Sequence, residues 1–409
     1  MSAADFLEKL LDGAEVEWMP LGEIATVQRG ASPRPISKFI TSDENGVPWI
    51  KIGDTAPRSK YVTKTAEKIT PDGAKKSRIL SKGDFIISNS MSFGRPYILG
   101  IDGAIHDGWA SVSDFKSKLN SDFLYHYLSS YSVQNYWLMK INSGSVSNLN
   151  SRLIQSLPVP IPCPDDPEKS LAIQGEIVRI LDSFTELTTE LTTELTARKK
   201  QYNYYRDQLL TFDEDEVEWK TLGEIAKYSN SRISHESVDE SNYVGVDNLL
   251  QNRAGKQLSS YVPKSGNLTQ YIDGDVLIGN IRPYLKKIWH ADRVGGTNGD
   301  VLVVQTTENA INSRYLYQVL ADDKFFEYNM QHSKGAKMPR GNKLKIMEYP
   351  IPVPLLAEQV RIVAILEKFD TLANSLTAGL PREIELRGKQ YTYYRDLLLS
   401  FPKPDEMAS

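Results

Sequence analysis

Residues Glu168–Leu210 read EKSLAIQGEIVRILDSFTELTTELTTELTARKKQYNYYRDQLL, and this stretch predicts one long helix. Its apolar residues recur every three or four positions, which places them on a single helical face. They are Ile173, Ile177, Ile180, Leu181, Phe184, Leu187, Leu191 and Leu195. At about 1.5 Å per residue the helix would be roughly 60 Å long, which suits a spacer better than an ordinary globular helix.

A second, interrupted version of this pattern lies near the C terminus. Its apolar positions are Val360, Val363, Ile365, Leu366, Phe369, Leu372 and Leu376. Gly379-Leu380-Pro381 predicts a kink or break before the pattern resumes at Ile384. Neither helix can bury its apolar face alone, so we expect the two to pack as an antiparallel coiled coil.

Three motifs occur twice in the same order, which indicates an internal duplication. The first is Val16-Glu17-Trp18 with Leu21-Gly22-Glu23-Ile24-Ala25, repeated as Val217-Glu218-Trp219 with Leu222-Gly223-Glu224-Ile225-Ala226. The second is a proline ladder, Leu157–Pro162, repeated as Tyr349–Pro354. The third is Lys200–Asp207, repeated as Lys389–Asp396. Gene duplication with drift and no paired target is the alternative to a chain that presents two recognition surfaces.

Between these motifs, the inserts Gln28–Gln155 and Lys227–Glu348 share little beyond a strand-and-turn character. Apolar runs such as 84–87 and 275–278 predict strands, and 121–129 and 313–320 predict short helices. The fold class expected is α+β: two mixed α/β target-recognition domains separated by two long antiparallel coiled-coil helices, internally duplicated. The expected divisions are a helix over 1–14, domains over 15–164 and 213–354, a spacer helix over 165–212, and a helix with tail over 355–409.

The proline ladders predict stiff extended struts between each insert and its helix, because alternate prolines fix φ and favour extended geometry. A ligand for a proline-reading module is the alternative. Since both ladders directly precede a helix, the strut is the better interpretation.

Composition excludes several classes of protein. The longest apolar runs fall short of a membrane span and the first residues lack a signal peptide, so we expect a cytoplasmic location and no membrane partner. Cys163 is the only cysteine and there are five histidines, which argues against a disulfide or a metal site. The net charge of −4 argues mildly against nucleic acid, yet residues 334–345 contain five lysines or arginines and no acid.

No phosphate loop, dinucleotide fingerprint or base-flipping methyltransferase motif occurs in the sequence. His106-Asp107 resembles half of a catalytic triad, but a structural contact is the more economical interpretation. We therefore expect no catalytic residue and no cofactor bound by this chain.

The inserts offer cationic and amide side chains on Gly-rich loops. Because Arg reads guanine, Asn reads adenine and Lys neutralises phosphate, these residues suit duplex DNA, although each taken singly could be an ordinary surface charge or turn former. In the first insert the candidates are Arg29, Arg34, Lys38, Lys51, Arg95, Ser145 and Asn148. In the second they are Asn280, Arg282, Tyr284, Lys286, Lys287, Lys337, Arg340, Asn342 and Lys343.

The tyrosine-rich ends of both helices present more than one adhesive face, which predicts a protein partner. The candidates are Tyr202, Tyr204, Tyr205, Arg206, Tyr391, Tyr393, Tyr394 and Arg395. Packing of these tyrosines on the neighbouring domain is an equally good alternative.

Over essentially its full length, the chain resembles the specificity subunit of type I restriction-modification systems. The resemblance rests on the three duplicated motifs and on segments 169–184, 198–210 and 390–401. It implies that each insert reads one half of a bipartite double-stranded DNA site and that the helices set the gap. It further implies two methyltransferase subunits, which carry S-adenosylmethionine, and motor-nuclease restriction subunits, which use ATP and Mg. A scaffold whose inserts bind protein or carbohydrate is the alternative, supported by the acidic net charge.

Three identical tetrads, Thr185–Thr188, Thr189–Thr192 and Thr193–Thr196, lie within the long helix. Four residues add about 6 Å and about 40° of net rotation, close to twice the rise and about the twist of one base pair. We hypothesise that the number of tetrads sets the length of the non-specific gap in the DNA site. Low-complexity drift of the sequence is the alternative.

Overall fold

The computed structural model describes residues 3–55, 59–89, 94–142, 149–213, 215–374 and 378–402. The chain forms two compact units, one of residues 1–187 with 387–409 and the other of residues 188–386. We call them unit 1 and unit 2. The long helix contributes to both units, and residues 387–409 belong to the first.

The elements from the N terminus to the first proline ladder are short strands and helices. They are α1 Ala3–Leu11, β1 Val16–Pro20, α2 Leu21–Ile24, β2 Thr26–Arg29, β3 Ile40–Thr41, β4 Val47–Ile50, β5 Tyr61–Val62, β6 Glu67–Ile69, α3 Pro71–Ala74, β7 Arg78–Leu80, β8 Phe85–Ser88, β9 Pro96–Leu99, β10 Gly103–Ile105, β11 Trp109–Ser113, α4 Ser121–Leu128, α5 Tyr131–Asn142, α6 Ser151–Gln155 and β12 Pro158–Pro162.

The remaining elements begin with the long helix, α7 Pro167–Leu210. They continue with β13 Glu218–Thr221, α8 Leu222–Ile225, β14 Ala226–Tyr228, β15 Arg232–Ser234, β16 Tyr243–Val244, β17 Asn267–Tyr271, β18 Val276–Gly279, β19 Ile288–His290, β20 Gly295–Thr297, β21 Val301–Thr306, α9 Ser313–Leu320, α10 Asp323–Gln331, α11 Lys343–Met347, β22 Pro350–Val353, α12 Leu356–Asn374 and α13 Leu380–Leu398.

The two inserts share one strand order, although their sequences do not reveal it. In unit 1 one sheet runs β2-β11-β8-β9-β5, and in unit 2 its counterpart runs β14-β21-β18-β19. In the other sheet, β4-β10-β7 of unit 1 corresponds to β16-β20-β17 of unit 2, each with one parallel and one antiparallel pair. The duplication therefore extends through the inserts as topology, while the frame alone retains it as sequence.

Each proline ladder is a β-strand paired with the Glu-Trp motif of its own unit. β1 and β12 are antiparallel with Trp18 opposite Pro160, and β13 and β22 are antiparallel with Trp219 opposite Pro352. Proline lacks a backbone N–H, so the alternating Val159 and Ile161 supply the available donors and bury their side chains. The extended geometry was predicted correctly, but the pairing partner was not.

A buried glutamine locks each spacer helix to its insert. Gln174 accepts from the backbone N–H of Asn120 at 2.8 Å, and Gln359 accepts from that of Asn312 at 2.9 Å. Both asparagines cap the next helix, α4 or α9, with their own side chains. The two helix starts therefore have the same hydrogen-bonded construction.

The long helix runs unbroken from Pro167 to Leu210, as its sequence predicted. Its C-terminal counterpart ends at Asn374 and resumes at Leu380, with Gly379 at a φ of 79°, which confirms the predicted interruption. In unit 1 the ring of Phe184 stacks on Tyr394, and in unit 2 Tyr205 stacks on Phe369. Within each unit, the long helix and its C-terminal counterpart therefore contact each other through a pair of stacked aromatic rings.

No helix in the described residues is long and apolar enough to cross a membrane. Within the same residues, no group of three or more His, Cys, Asp or Glu side chains could hold a metal ion.

Candidate nucleic-acid interface

Two basic loops of unit 2, which are far apart in sequence, lie side by side. The backbone N–H of Arg282 donates to the carbonyl of Pro339 at 2.7 Å, and that of Gly341 donates to the carbonyl of Asn280 at 3.1 Å. An isolated β-bridge also joins Ile281 to Arg340. The structure therefore brings together the segments 280–287 and 334–343, which the sequence indicated separately. We call them the paired loops.

Arg282 has an unusual backbone at this junction. Its φ of 54° and ψ of 64° lie in the left-handed region, which non-glycine residues rarely adopt, and its side chain is exposed. Such a conformation persists only where the surrounding structure enforces it, and it is frequent at ligand-contacting sites. The hydrogen bond to the Pro339 carbonyl holds the Arg282 backbone in this conformation, which fixes the point from which the side chain projects.

Arg340 projects from the other paired loop with 61% of its side chain exposed, and its guanidinium lies 3.2 Å from the Asp300 carboxylate. An exposed pair of this kind contributes little stability and can exchange partners. Lys337, Lys343 and Tyr284 are also exposed on these loops. The paired loops thus present several cationic groups that are available to a polyanion.

Asn280 lies in the interior of unit 2, and its role in DNA binding stays a prediction. It is only 6% exposed, and its Oδ1 has no hydrogen-bond partner among the described residues. A Cβ on Gly341 would lie 2.7 Å from this Oδ1 and 2.3 Å from Oδ1 of Asn329. Asn280 therefore sits beneath the paired loops, where close packing against Gly341 shapes them.

Three further candidates of unit 2 have structural partners. Lys286 donates to Asp323 at 2.7 Å and Lys287 to the carbonyl of Val246 at 2.5 Å, and burial lowers the pKa of both amines. The side chain of Asn342 accepts from two N–H groups and caps α11. Their geometry favours support of the loops over direct contact with a ligand.

In unit 1 two of the candidates, Arg29 and Arg34, lie next to Asp107. Nε of Arg29 and Nδ2 of Asn89 both donate to the Asp107 carbonyl, at 3.3 and 3.1 Å. The exposed guanidinium of Arg34 lies 3.8 Å from the Asp107 carboxylate, whose pKa is lowered chiefly by a hydrogen bond from Ser32. Arg29 and Asn89 also line a cavity of about 110 Å³ with Leu149–Ser151.

The other candidates of unit 1 are more scattered. Lys38 is exposed, Lys51 pairs with Glu67 at 2.6 Å, and the Arg95 guanidinium lies 5.2 Å from the centre of the Tyr97 ring. Ser145 and Asn148 lie outside the described residues.

Sequence reasoning missed Asn89, which corresponds to Asn280. Each asparagine directly follows an equivalent strand, β8 or β18. Each strand also follows an aspartate whose carboxylate accepts a backbone N–H three residues earlier, Asp84 from Ser81 and Asp275 from Ile272. A search for the pattern Asp, four strand residues, Asn would have found the match.

The residues around His106 do not form a catalytic triad. In a triad the imidazole lies between the nucleophile and the acid. Here Ser32 donates directly to Asp107 at 2.7 Å, while Nδ1 of His106 accepts from the backbone N–H of Gly108 at 2.8 Å. The arrangement holds the turn that carries Asp107.

Several residues of the tyrosine-rich helix ends make contacts within their own unit. In unit 2 Tyr202 and Arg206 are buried, and the Tyr202 hydroxyl donates to Gln318 at 3.2 Å and Asp370 at 3.3 Å. In unit 1 the Tyr391 hydroxyl lies 2.8 Å from Nδ1 of His126. Burial raises the pKa of both tyrosines to about 12.

Packing on a neighbouring domain, the alternative interpretation, agrees with the burial of Tyr202 and Arg206, and their role in partner binding stays a prediction. Tyr394 stacks on Phe184, and Arg395 pairs with Asp396 at 2.9 Å. Exposed tyrosines remain at these ends: Tyr204 at 61%, Tyr205 at 38% and Tyr393 at 64%.

The duplicated α+β fold, with exposed basic side chains on both units, has the architecture of a bipartite nucleic-acid reader. The chain belongs to the family defined by the type I restriction modification DNA specificity domain, whose model matches residues 14–199 and 214–386. It is a specificity subunit, the component that confers DNA sequence specificity in such systems.

Two relatives agree with this assignment. The chain is 37% identical to the EcoR124I/EcoR124II specificity subunit of Escherichia coli over 425 residues, covering 100% of both chains. It is 32% identical to the EcoprrI specificity subunit of Escherichia coli, covering 92% of this chain and 93% of the relative.

Two solved structures share the fold at 15% sequence identity. One, from work on complex assembly and conformational transition of the type I R-M system, gives a TM-score of 0.60 over 94% of this chain and 97% of that chain. The other, the S subunit from M. genitalium, gives 0.52 over 96% and 98%.

Proposed function

We propose that units 1 and 2 each read one half of a bipartite double-stranded DNA site, and that α7 sets the gap between the halves. The observation that carries this proposal is the hydrogen-bonded junction of the paired loops, which fixes Arg282 and Arg340 on one unit of a duplicated fold. In unit 1 the corresponding readers are Arg29 and Arg34 around Asp107.

Arginine suits both tasks that a reader must perform. Its planar guanidinium can donate two hydrogen bonds to a guanine edge, and its charge attracts phosphate at any sequence. Arg282 has the fixed backbone that base reading needs, whereas Arg340 must first exchange Asp300 for DNA. Lys337 and Lys343 are placed to neutralise phosphates, which accounts for DNA affinity in a chain with a net charge of −4.

The chain acts without a catalytic centre of its own. It docks two methyltransferase subunits, which carry S-adenosylmethionine, and motor-nuclease restriction subunits, which use ATP and Mg. It binds no cofactor itself and works in the cytoplasm. Duplication of the frame and the position of His106 and Ser32 outside any triad support this division of labour.

The test measures DNA binding by the assembled complex at two salt concentrations. Arg282→Ala and Arg340→Ala should each weaken specific binding by about 1–3 kcal/mol, or roughly 5- to 150-fold. Each should relax specificity in the half-site that unit 2 reads and leave the other half-site unchanged. Arg361→Ala is the matched control, because Arg361 is an exposed α12 arginine paired only with Glu358 in the same helical turn. Salt-insensitive binding, or equal effects of all three variants, would contradict the proposal.

A further inference from the structure

Residues 282–286 form a turn between β18 and β19, which we call the Arg282 turn, and this turn is held at both ends. At its start, the backbone N–H of Arg282 donates to a carbonyl of the other paired loop at 2.7 Å. At its end, the carbonyls of Leu285 and Lys286 accept from the backbone N–H groups of the Asn252–Arg253 segment, each at 2.9 Å. Two segments that are distant in sequence therefore fix the position of the turn.

Four residues at this junction have a left-handed backbone. The φ angles are 54° at Asn252, 63° at Arg253, 54° at Arg282 and 51° at Lys286. They are four of the seven non-glycine residues with positive φ in the described part of the chain. Because this conformation is sterically disfavoured for a residue with a Cβ, it persists only where surrounding contacts enforce it. The junction therefore requires strong contacts around it.

One carboxylate, that of Asp323 at the start of α10, supplies such contacts. Its Oδ1 accepts from Nζ of Lys286 at 2.7 Å and from Nη2 of Arg253. Nε of Arg253 donates to the carbonyl of Ala321, and only 9% of the Arg253 side chain is exposed. Burial and the neighbouring Arg206 charge lower the pKa of Arg253 to about 10, so its guanidinium stays charged at neutral pH.

The charges around Asp323 show why this acid is needed. Arg206, which is buried near the end of α7, donates to the same backbone carbonyl as Arg253, at 3.4 Å. Three cations, Arg206, Arg253 and Lys286, therefore surround one contacting carboxylate, while the neighbouring Asp322 caps α10 with its side chain. A buried charge is stable only when it is paired. Without the Asp323 charge, Arg253 and Lys286 would repel each other, and the end of the Arg282 turn would be released.

Unit 1 has a tyrosine at the position of this acid. Asp323 lies eleven residues after Asn312, which caps α9, and Tyr131 lies eleven residues after Asn120, which caps α4. A phenol does not supply the fixed negative charge that holds two cations together. A change at Asp323 should therefore affect the half-site that unit 2 reads and leave the other half-site unchanged.

We propose that Asp323 is a positioning residue for DNA recognition, which acts through Arg253 and Lys286 to fix the turn that presents Arg282. This inference rests on the proposed function for the reading role of Arg282, while the hydrogen-bonded cluster supplies the role of Asp323. The alternative role for an acid with 46% of its side chain exposed is repulsion of phosphate. The two roles predict opposite signs, because loss of a repelling charge tightens binding and loss of a positioning charge weakens it.

Asp323→Asn removes the charge and keeps the shape of the side chain. In the assembled complex it should weaken binding to the intact DNA site at least about tenfold, as measured by titration of labelled duplex. Selectivity should fall by a similar factor in the half-site that unit 2 reads. Glu327→Gln is the matched control, since Glu327 is an exposed acid one turn later on α10, and it should bind at least as tightly as the wild-type chain.

Double variants distinguish positioning of one turn from unfolding of unit 2. In the Asp323→Asn background, Arg282→Ala should have little further effect, whereas Arg340→Ala on the other paired loop should weaken binding by its full factor. The inference is overturned if both arginine substitutions keep their full effects, if both lose them, or if Asp323→Asn binds as tightly as the wild-type chain or more tightly. No effect of Arg282→Ala in the otherwise wild-type chain would instead refute the proposed function, and the inference with it.

Discussion

Removing one tetrad from α7 should shorten the gap in the recognised DNA site by one step. α7 has 44 residues, and deletion of Thr189–Thr192 would leave 40 in an unbroken helix. The helix would lose about 6 Å of length and about 40° of rotation, since 3.6 residues make one turn. One base pair contributes about 3.4 Å and roughly 34°, so the rotation matches a single base-pair step closely.

The local chemistry of the helix makes this deletion unusually clean. The hydroxyl of Thr192 donates to the carbonyl of Thr188 at 2.7 Å, and that of Thr193 to the carbonyl of Thr189 at 2.9 Å. After the deletion Thr193 follows Thr188, so the hydroxyls of Thr193 and Thr196 meet the carbonyls of Thr185 and Thr188 in place of those of Thr189 and Thr192. The leucines also keep their spacing of four. Helix length therefore changes while side-chain contacts along the helix do not.

The assay maps methylated adenines across the genome of a host that carries the complete system. We expect the two half-sites to keep their sequences and the gap to shorten by one base pair. Substituting alanine for Thr189, Glu190 and Thr192 preserves helix length and should leave the gap unchanged. Deleting two residues rotates the remaining helix by about 200° and should abolish recognition of any bipartite site.

Two results would refute the reasoning. An unchanged gap after the four-residue deletion would show that α7 does not set the spacing. A changed half-site sequence would show that the tetrad influences the recognition loops instead of their separation.

Three further variants test local features of unit 2. Gly341→Ala places a Cβ 2.3 Å from Asn329 Oδ1 and 2.7 Å from Asn280 Oδ1, so binding to the half-site that unit 2 reads should weaken by about 1–3 kcal/mol. Binding of the variant to the intact site as tightly as the wild-type chain would contradict this. Gln359→Leu leaves buried backbone partners unsatisfied and should lower the free energy of unfolding in urea by about 2–4 kcal/mol, and a loss below about 0.5 kcal/mol would refute the locking role. Burial lowers the pKa of His290 from 6.5 to about 4. Between these pH values the imidazole is protonated in the unfolded chain and neutral in the folded chain, so the free energy of unfolding should fall by up to about 3 kcal/mol as the pH drops from 6.5 to 4. His290→Phe should flatten the pH profile of urea unfolding between these values, and an unaltered profile would exclude His290 as its source.

Candidates for DNA contact could be named from residue type and loop position. Arg282 and Arg340 were both candidates on separate loops, and the structure joins those loops through backbone hydrogen bonds. The burial of Asn280 could not be predicted from the sequence, because it depends on Gly341, more than 60 residues later, packing over it. Asn89 was missed because its match to Asn280 is a match of strand positions in two folded inserts.

Features with local signals could be inferred from the order of the residues alone. Helical periodicity fixed the extent of α7, Gly379 and Pro381 fixed the break in its counterpart, and repeated motifs exposed the duplication. These signals are readable because each depends on residues within a turn or two of helix, or on direct similarity between two segments.

The pairing of distant segments became visible in the folded protein and not before. It placed each proline ladder against the Glu-Trp motif about 140 residues earlier and assigned residues 387–409 to unit 1. It also buried Tyr202 and Arg206, which sequence reasoning had offered to a partner. Such contacts leave no periodic trace in the chain, because they depend on which apolar and polar surfaces remain to be covered once the local elements have formed.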